Sequence, residues 1–340
     1  MLIDTYRISA GGGIASLTRK SEPAPELRAG QIRIAVRAVT LNARDLLIAG
    51  GGYPTSHDGP MVPCSDGAGE VIEVAQDVTD WKCGDRVVGG FFKDWFSGPP
   101  DADSTATTFG CDLDGWMRSE LVMDASSVVR VPAGISYLEA AAAPCAGVTA
   151  WTSMFDYARL GEGDSMLVQG TGGVAVWGAQ LAKAAGIRCV ATSRNPTKLR
   201  SLEKLAGVHG VISTPGASWV DDVRSACGGS GANLVLELLG QESIQDSIRA
   251  AAFNGRIAVI GGHTGWEYPR LSIPELLVRR ISLTGIYVGS NQMLGQLLEF
   301  CATNKVHPHI DSVYSFSDAP KAFEQLAEKT HLGKIAISLD

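Results

Sequence analysis

The sequence predicts an α/β protein, a doubly wound parallel sheet that follows a β-rich, barrel-like portion. Three observations predict it. Residues 135–292 alternate short apolar runs with helical stretches, which is the rhythm of βα units. A glycine-rich turn at residues 170–175 opens one of those helical stretches. Residues 1–132, by contrast, show short alternating runs broken by Gly, Pro and Asp.

In chain order, residues 31–41, 69–74 and 86–91 read as strands of the β-rich portion. Residues 97–115, polar and rich in Pro, Asp and Gly, read as a surface loop. Helices are expected at 137–143 and 148–158. The sheet strands then fall at 165–169, 188–192, 211–213, 234–238, 256–260 and 282–287. Helices at 173–185, 196–206, 219–226, 243–252 and 273–279 separate them. A helix at 293–303, a strand, a helix at 317–328 and a strand at 334–338 end the chain. With the sheet complete, residues 293–340 are expected to return to the N-terminal domain, which leaves residues 133–292 as the central domain.

The glycine turn gives the first functional signal. Met166, Leu167 and Val168 form a buried-type strand, and Gly170-Thr171-Gly172-Gly173-Val174-Ala175 fits the pattern G-x-G-x-x-G/A. Gly170 allows the tight turn, Gly172 lets a pyrophosphate approach the backbone, and Ala175 lets helix and strand pack closely. The helix N-terminus then offers free N–H groups to the phosphates. The pattern points to a dinucleotide.

Composition narrows the field. A chain of 340 residues suits two domains. Its 45% hydrophobic and 19% charged residues are those of a soluble globular protein. The net charge of −7 gives no general attraction to nucleic acid or anionic membranes. No apolar run is long enough to span a bilayer, and the first residues lack a signal-peptide layout, so the expected address is the cytoplasm. The seven cysteines are scattered with no C-x-x-C pair, which argues against a disulfide framework or a four-cysteine zinc lobe.

Several motifs in order extend the signal over nearly the whole chain. They are Leu41-Asn42-Ala43-Arg44-Asp45, Gly67-Ala68-Gly69-Glu70-Val71, Gly84-Asp85-Arg86-Val87, Pro144-Cys145-Ala146-Gly147-Val148-Thr149-Ala150-Trp151, the 170–174 turn, and Gly333-Lys334. In these the chain resembles the medium-chain dehydrogenase/reductases, the quinone oxidoreductase and alcohol dehydrogenase group. The resemblance implies a GroES-like N-terminal catalytic domain and a Rossmann domain for NADP(H) or NAD(H). It also implies a homodimer or dimer of dimers, joined through the strand at 281–288. Zinc-dependent members carry Cys where Ala43 stands and Gly-His-Glu where Cys64-Ser65-Asp66 stands. Of the usual ligands only Cys145 remains, and one thiolate cannot hold Zn²⁺ in a site that wants three protein ligands. The resemblance is therefore to the zinc-free branch, with no metal expected.

The expected cofactor is NADP(H). NAD-specific folds place an acid about 20 residues past the glycines. Here the segment reads Thr192-Ser193-Arg194-Asn195-Pro196-Thr197-Lys198, where Ser193, Arg194 and Lys198 suit a 2′-phosphate. The resemblance adds Thr149 near the nicotinamide, and Tyr287, Val288 and Gly289 beside its carboxamide. Gly261, Gly262 and His263 lie at the carboxyl edge of the fifth strand. Lys334 matches a family cation that reaches the pyrophosphate.

Without a metal, negative charge that develops on an acceptor oxygen must be met by hydrogen-bond donors. Candidates lie around Asn42, Arg44, Asp45 and Tyr53; Arg44 and Asp45 also read as a structural ion pair. Trp95, Trp116 and Trp266 are candidates for a flat aromatic pocket. The expected reaction is hydride transfer from NADPH to a quinone or α,β-unsaturated carbonyl. Alcohol–aldehyde chemistry and a non-catalytic dinucleotide sensor stand as alternatives.

Overall fold

A computed structural model describes residues 1–213, 218–265, 267 and 271–339. The chain forms two compact units, Met1–Val148 with Val288–Asp340, and Thr149–Tyr287. The divisions therefore fall at 148/149 and 287/288, not at 132/133 and 292/293 where the sequence pattern changes. The reason is packing, which holds residues 133–148 and 288–292 to the first unit. Thr40 Oγ1 donates to Ala141 O at 2.8 Å, and Asn291 Nδ2 donates to Ser126 O at 3.1 Å.

The first unit begins with β1 (Leu2–Arg7), β2 (Thr18–Pro23), β3 (Gln31–Thr40), α1 (Ala43–Ala49) and β4 (Asp66–Val74). It continues with β5 (Arg86–Gly89), β6 (Glu120–Asp124), β7 (Val128–Arg130) and α2 (Tyr137–Ala141). Strand β3 buries alternate residues Ile32, Ile34 and Val36, as a strand with one face on the core should. Beneath it lies Trp116, fully buried against Gly67 and Gly89, whose backbones leave no room for a Cβ. The 97–115 stretch has no strand or helix, but its end is buried at Thr108, Phe109 and Cys111.

The chain continues through α3 (Val148–Trp151) and a wide helical turn at Thr152–Tyr157 into the second unit. There follow β8 (Ser165–Gln169), α4 (Gly173–Ala184), β9 (Arg188–Ser193), α5 (Pro196–Ala206) and β10 (His209–Ile212). Next come α6 (Val220–Ala226), β11 (Ala232–Glu237), α7 (Ile244–Ala250), β12 (Ala251–Val259), α8 (Ile273–Arg279) and β13 (Ser282–Gly285). These strands form one parallel sheet in the order β10-β9-β8-β11-β12-β13. That is the doubly wound order, with its switch point between β8 and β11. Strand β8 is buried at every residue, as a central parallel strand should be.

The tail supplies α9 (Asn291–Asn304), β14 (Ile310–Ser315), α10 (Ala319–Glu328) and β15 (Lys334–Ser338) to the first unit. Strand β15 runs antiparallel to β3, pairing Ala336 with Thr40, and β14 lies parallel to β15. Helix α10 buries Ala319, Ala322, Phe323 and Leu326, the spacing of one helical face. Among the described residues no helix is long and apolar enough to cross a membrane.

Candidate active site

Three strand ends meet in the first unit. Register pairs Thr40, the last residue of β3, with Asp66, the first residue of β4. The pairing of Ala336 with Thr40 puts Lys334, the first residue of β15, opposite the residues that leave β3. Leu41 N–H donates to Ile335 O at 3.0 Å and continues that ladder. Asn42 then turns the chain into α1 with an extended backbone, φ −129° and ψ 156°.

Lys334 is 2% exposed. Its ammonium donates to Leu41 O at 2.7 Å, Asn42 Oδ1 at 2.6 Å and Asp66 Oδ2 at 3.3 Å. An ammonium has three protons, so its donors are all used. The resemblance implies a cation that reaches the pyrophosphate; Lys334 spends its protons inside the first unit instead. Asp66, fully buried, takes a second donor from Ser65 Oγ at 2.8 Å. Burying both ions costs several kcal/mol each before their attraction and these hydrogen bonds offset it, so the arrangement is held by geometry.

Asn42 and Asp45 form a reciprocal capping pair at the start of α1. Asp45 Oδ2 accepts the Asn42 N–H at 2.7 Å. Burial pushes the Asp45 carboxyl up to about 6, against the opposing pull of that N–H and of Arg44. Asn42 Nδ2, by contrast, is buried and makes no hydrogen bond. The expected Arg44–Asp45 ion pair is absent among the described residues. Arg44 turns to Thr108 Oγ1 at 2.6 Å and Phe109 O at 3.2 Å. Its guanidinium lies over the Phe91 ring at 4.5 Å and the Tyr53 ring at 5.4 Å. Tyr53 is thus a half-buried aromatic packed on the barrel core.

Two cysteines border the cluster. Cys64 is fully buried and holds φ +73°, the left-handed region, and burial pushes its thiol upward. The half-buried Cys145 is pushed up to about 12, by desolvation first and by Asp66 next. Neither is a ready thiolate. Among the described residues no three His, Cys, Asp or Glu side chains gather as a metal set.

In the second unit the glycine turn has the form the sequence predicts. Gly170 takes φ +78°, and a Cβ at Gly170 or Gly172 would meet nothing within 4 Å. Gly172 caps α4 with no side chain, so Thr171, Gly173 and Val174 surround a turn whose helical N–H groups lack a side-chain partner. Gly178, one turn on, carries the close helix–sheet contact: its Cβ would lie 3.0 Å from Leu236 Cδ1 and 3.4 Å from Val168 Cγ1. Ala175 beside it is fully buried. Open space at two glycines above a bare helix start fits a pyrophosphate.

Ser193 ends β9, and its Oγ accepts from Asn195 N–H at 3.1 Å. Asn195 Oδ1 caps α5 through the N–H groups of Thr197 and Lys198. Arg194 is exposed and Lys198 half-buried beside it. Thr149 is buried, and its carbonyl accepts from Ser153 Oγ at 2.7 Å. Gly261, Gly262 and the exposed His263 follow β12. Tyr287 is 47% exposed at the end of the second unit. Val288 and Gly289 are buried in the first, with Val288 at φ +58°. Trp95 and Trp116 are core residues, not pocket walls. Trp266 lies outside the described residues.

The sequence reading missed a polar network at the same sheet edge. Glu237, fully buried at the end of β11, accepts from Leu239 N–H, Gly240 N–H and Ser243 Oγ. Its other oxygen accepts from Gln169 Nε2 and Ser247 Oγ. Gln169 Oε1 in turn accepts from Leu238 N–H at 3.0 Å. The loop after β11 is tied further to the loop after β12 by Thr264 N–H donating to Leu239 O at 2.7 Å. A signal was present: Gln169 and Glu237 are the polar residues at the carboxyl ends of the apolar runs Met166–Val168 and Leu234–Leu236, and a buried polar end must be hydrogen-bonded.

Known proteins agree with these features. The alcohol dehydrogenase GroES-like domain family matches residues 28–133, and the zinc-binding dehydrogenase family matches residues 173–303. The second match includes neither Cys145 nor Cys64-Ser65-Asp66, so its name says nothing of those positions. A zinc-type alcohol dehydrogenase-like protein of Schizosaccharomyces pombe is 33% identical over 324 residues, 93% of this chain and 92% of that protein. A quinone oxidoreductase-like protein 2 homolog of Nematostella vectensis is 27% identical over 325 residues, 92% of this chain and 82% of that protein. A solved structure from Sinorhizobium meliloti, described as an alcohol dehydrogenase, matches with a TM-score of 0.92 at 33% identity, covering 100% of both chains. With a GroES-like unit, a doubly wound unit and a fitting glycine turn, the chain belongs to the medium-chain dehydrogenase/reductase superfamily of NAD(P)(H)-linked oxidoreductases.

Proposed function

We propose that this chain is an NADPH-dependent reductase that needs no zinc and passes hydride to a quinone or an α,β-unsaturated carbonyl. The observation that carries the reading is the state of the donor groups around Asn42. Asp66 is bonded to an ammonium, the Cys145 thiol resists ionisation, and the Asn42 amide is an unused neutral donor, with Nε and Nη1 of the neighbouring Arg44 also unbonded but stacked on the Phe91 ring. Zinc wants thiolates, imidazoles or free carboxylates. An acceptor oxygen that gains negative charge wants an N–H donor in a water-poor place.

NADPH, when bound, supplies the hydride. The chain's own residues do the rest. The 170–174 turn and the α4 N-terminus hold the pyrophosphate, and Ser193, Arg194 and Lys198 hold the 2′-phosphate. Asn42 Nδ2 donates to the acceptor oxygen as charge builds on it. Asp45 keeps the Asn42 backbone in place. Quinones and enones suit this modest equipment, because they spread the incoming charge over a conjugated system. Oxidising a simple alcohol would need a base for its proton, and the nearby Asp45 is already spent on the Asn42 N–H.

We also infer a homodimer or dimer of dimers. Strand β13 is an edge of its sheet, and α8 beside it buries no residue: Leu277 and Val278 are each 71% exposed. A short open strand edge flanked by exposed apolar helix residues is an aggregation risk if left uncovered.

The test is an anaerobic screen of quinones, enones and aldehydes with NADPH and with NADH, repeated after dialysis against a chelator. Turnover of a quinone or enone that survives the chelator is expected. Turnover confined to aldehydes and alcohols would replace this reading with the alcohol dehydrogenase one. NADPH binding with no turnover would point to a sensor.

A further inference from the structure

We propose that Lys334 is a positioning residue that fixes the Asn42 side-chain amide, so that its NH₂ is presented to an acceptor oxygen of the ligand. The proposal rests on the reading above, in which Asn42 meets the charge that develops on the substrate. It starts from chemistry that leaves no choice of orientation. An ammonium donates and cannot accept. The Asn42 atom 2.6 Å from Lys334 Nζ is therefore the carbonyl oxygen, because the flipped amide would set NH₂ against NH₃⁺. The outward atom is then Nδ2. Asn42 is 8% exposed, and Nδ2 is buried with no partner.

An unpaired buried amide donor is costly unless something fills the place opposite it. Lys334 itself is held against turning away. Its other two protons go to Leu41 O at 2.7 Å and Asp66 Oδ2 at 3.3 Å. Asp66 is fixed from behind by Ser65 Oγ at 2.8 Å. The chain Ser65–Asp66–Lys334–Asn42 thus ends in one free donor. The positive charge beside Oδ1 also polarises the amide and strengthens Nδ2–H as a donor. A buried cation reaches the acceptor through a neutral amide without touching it.

The experiment is a double-mutant cycle in the full-length enzyme, with NADPH and menadione as the probe pair. Asn42→Ala should lower kcat by about 10- to 100-fold, the loss expected for one donor to a charged oxygen. The KM for NADPH should stay within about twofold, because uniform binding is not what is lost. Lys334→Met should lower kcat in the same way. The double variant should be no worse than Asn42→Ala alone, since Lys334 acts through Asn42. Losses that multiply would overturn the proposal.

Lys334→Met also strands the buried Asp66 carboxylate. The cycle is therefore run again in an Asp66→Asn background, where no ion pair is broken. A second arm needs no turnover. In ¹⁵N-asparagine-labelled protein the Asn42 NH₂ pair, identified by its loss in Asn42→Ala, should shift in Lys334→Met and move back toward the wild-type position in Lys334→Arg. An NH₂ pair unmoved by Lys334→Met would overturn the proposal. A wild-type protein that reduces no acceptor would defeat the functional reading, and this second arm would still decide the role of Lys334.

Discussion

Asp45 accepts the backbone N–H of Asn42 at 2.7 Å while its carboxyl is raised to about 6 by burial. The two facts set a pH dependence. A carboxyl with a folded-state value above its unfolded one favours the fold when protonated. Its contribution is fully present below the unfolded value, about 4, and is lost as pH rises through about 6. The size is on the order of 3 kcal/mol, from two units at 1.36 kcal/mol each. Asp45→Asn keeps an oxygen for the Asn42 N–H and removes the titration. The variant should gain stability relative to wild type between about pH 4 and pH 6. Thermal melts across that window check it; parallel curves would mean that Asp45 does not titrate there.

Cys64 is a buried non-glycine residue at φ +73°, where relatives of the zinc-dependent kind are expected to carry Gly. Left-handed backbone costs an L-residue roughly 1–2 kcal/mol. Cys64→Ala keeps that strain and loses the sulfur. Cys64→Gly loses the sulfur and Cβ but releases the strain. The usual core order should therefore invert, with Cys64→Gly as stable as Cys64→Ala or more so, by up to about 1 kcal/mol. Chemical denaturation of both variants measures it. A Gly variant clearly below the Ala variant would show that packing around Cβ outweighs backbone strain.

Much of this was legible in the sequence, and the reason differs by element. Strand β8 and the turn after it are local: an apolar run, two glycines and a helix start need no partner to be recognised. Strand β15, Lys334–Ser338, was also legible as an element. What Lys334 faces was not, because that depends on the register of β15 against β3, nearly the whole chain apart in sequence. The same holds for Glu237, whose partners Gln169 and Ser247 come from other elements. Trp116 reads as a pocket candidate by residue type, yet it fills a core space that Gly67 and Gly89 leave for it. The domain edges shifted because composition changes where the fold type changes, whereas packing assigns 133–148 to the first unit.

Two glycines of α4 and its cap should behave in opposite ways. A Cβ at Gly172 would meet nothing within 4 Å, and its backbone is extended, with φ −82° and ψ −174°. Gly172→Ala should leave the melting temperature unchanged and weaken NADPH binding, because the methyl group projects where the pyrophosphate approaches. A Cβ at Gly178 would press on Leu236 Cδ1 at 3.0 Å. Gly178→Ala should cost up to about 2 kcal/mol of stability, an overpacking loss of about 1–3 kcal/mol set against a helix-propensity gain of about 1 kcal/mol. Its cofactor affinity should change little. Melting curves with and without NADPH separate the two effects.

The exposed apolar face of α8 gives a prediction about assembly. Leu277 and Val278 are 71% exposed on a helix that buries none of its residues, beside the edge strand β13. Leu277→Asp with Val278→Asp should convert a dimer to monomers, because two charges then oppose their own copies across a self-complementary contact. Light scattering at micromolar concentration should fall from twice the chain mass to the chain mass. A wild-type chain that is already monomeric would remove the proposal.

The last prediction concerns the choice of dinucleotide. Arg194 stands exposed where β9 gives way to α5, next to Ser193, with Asn195 capping the helix. A guanidinium there can fork onto a 2′-phosphate, and removing it takes away a charge-assisted hydrogen bond of about 1.5–3 kcal/mol. Arg194→Ala should therefore weaken NADPH by about 10- to 150-fold and leave NADH nearly unchanged. The loss should fall on KM and not on kcat, because the phosphate is remote from the hydride and binds ground and transition states alike. Ser193→Asp should go further. The Ser193 oxygen now accepts the Asn195 N–H at 3.1 Å, and an aspartate oxygen can keep that bond while it repels the phosphate. Its second oxygen can accept from a free ribose 2′-OH, which moves preference toward NADH. Steady-state kinetics with both cofactors decide between the readings. Equal losses for NADPH and NADH in Arg194→Ala would make Arg194 a structural residue and take away the main support for NADPH.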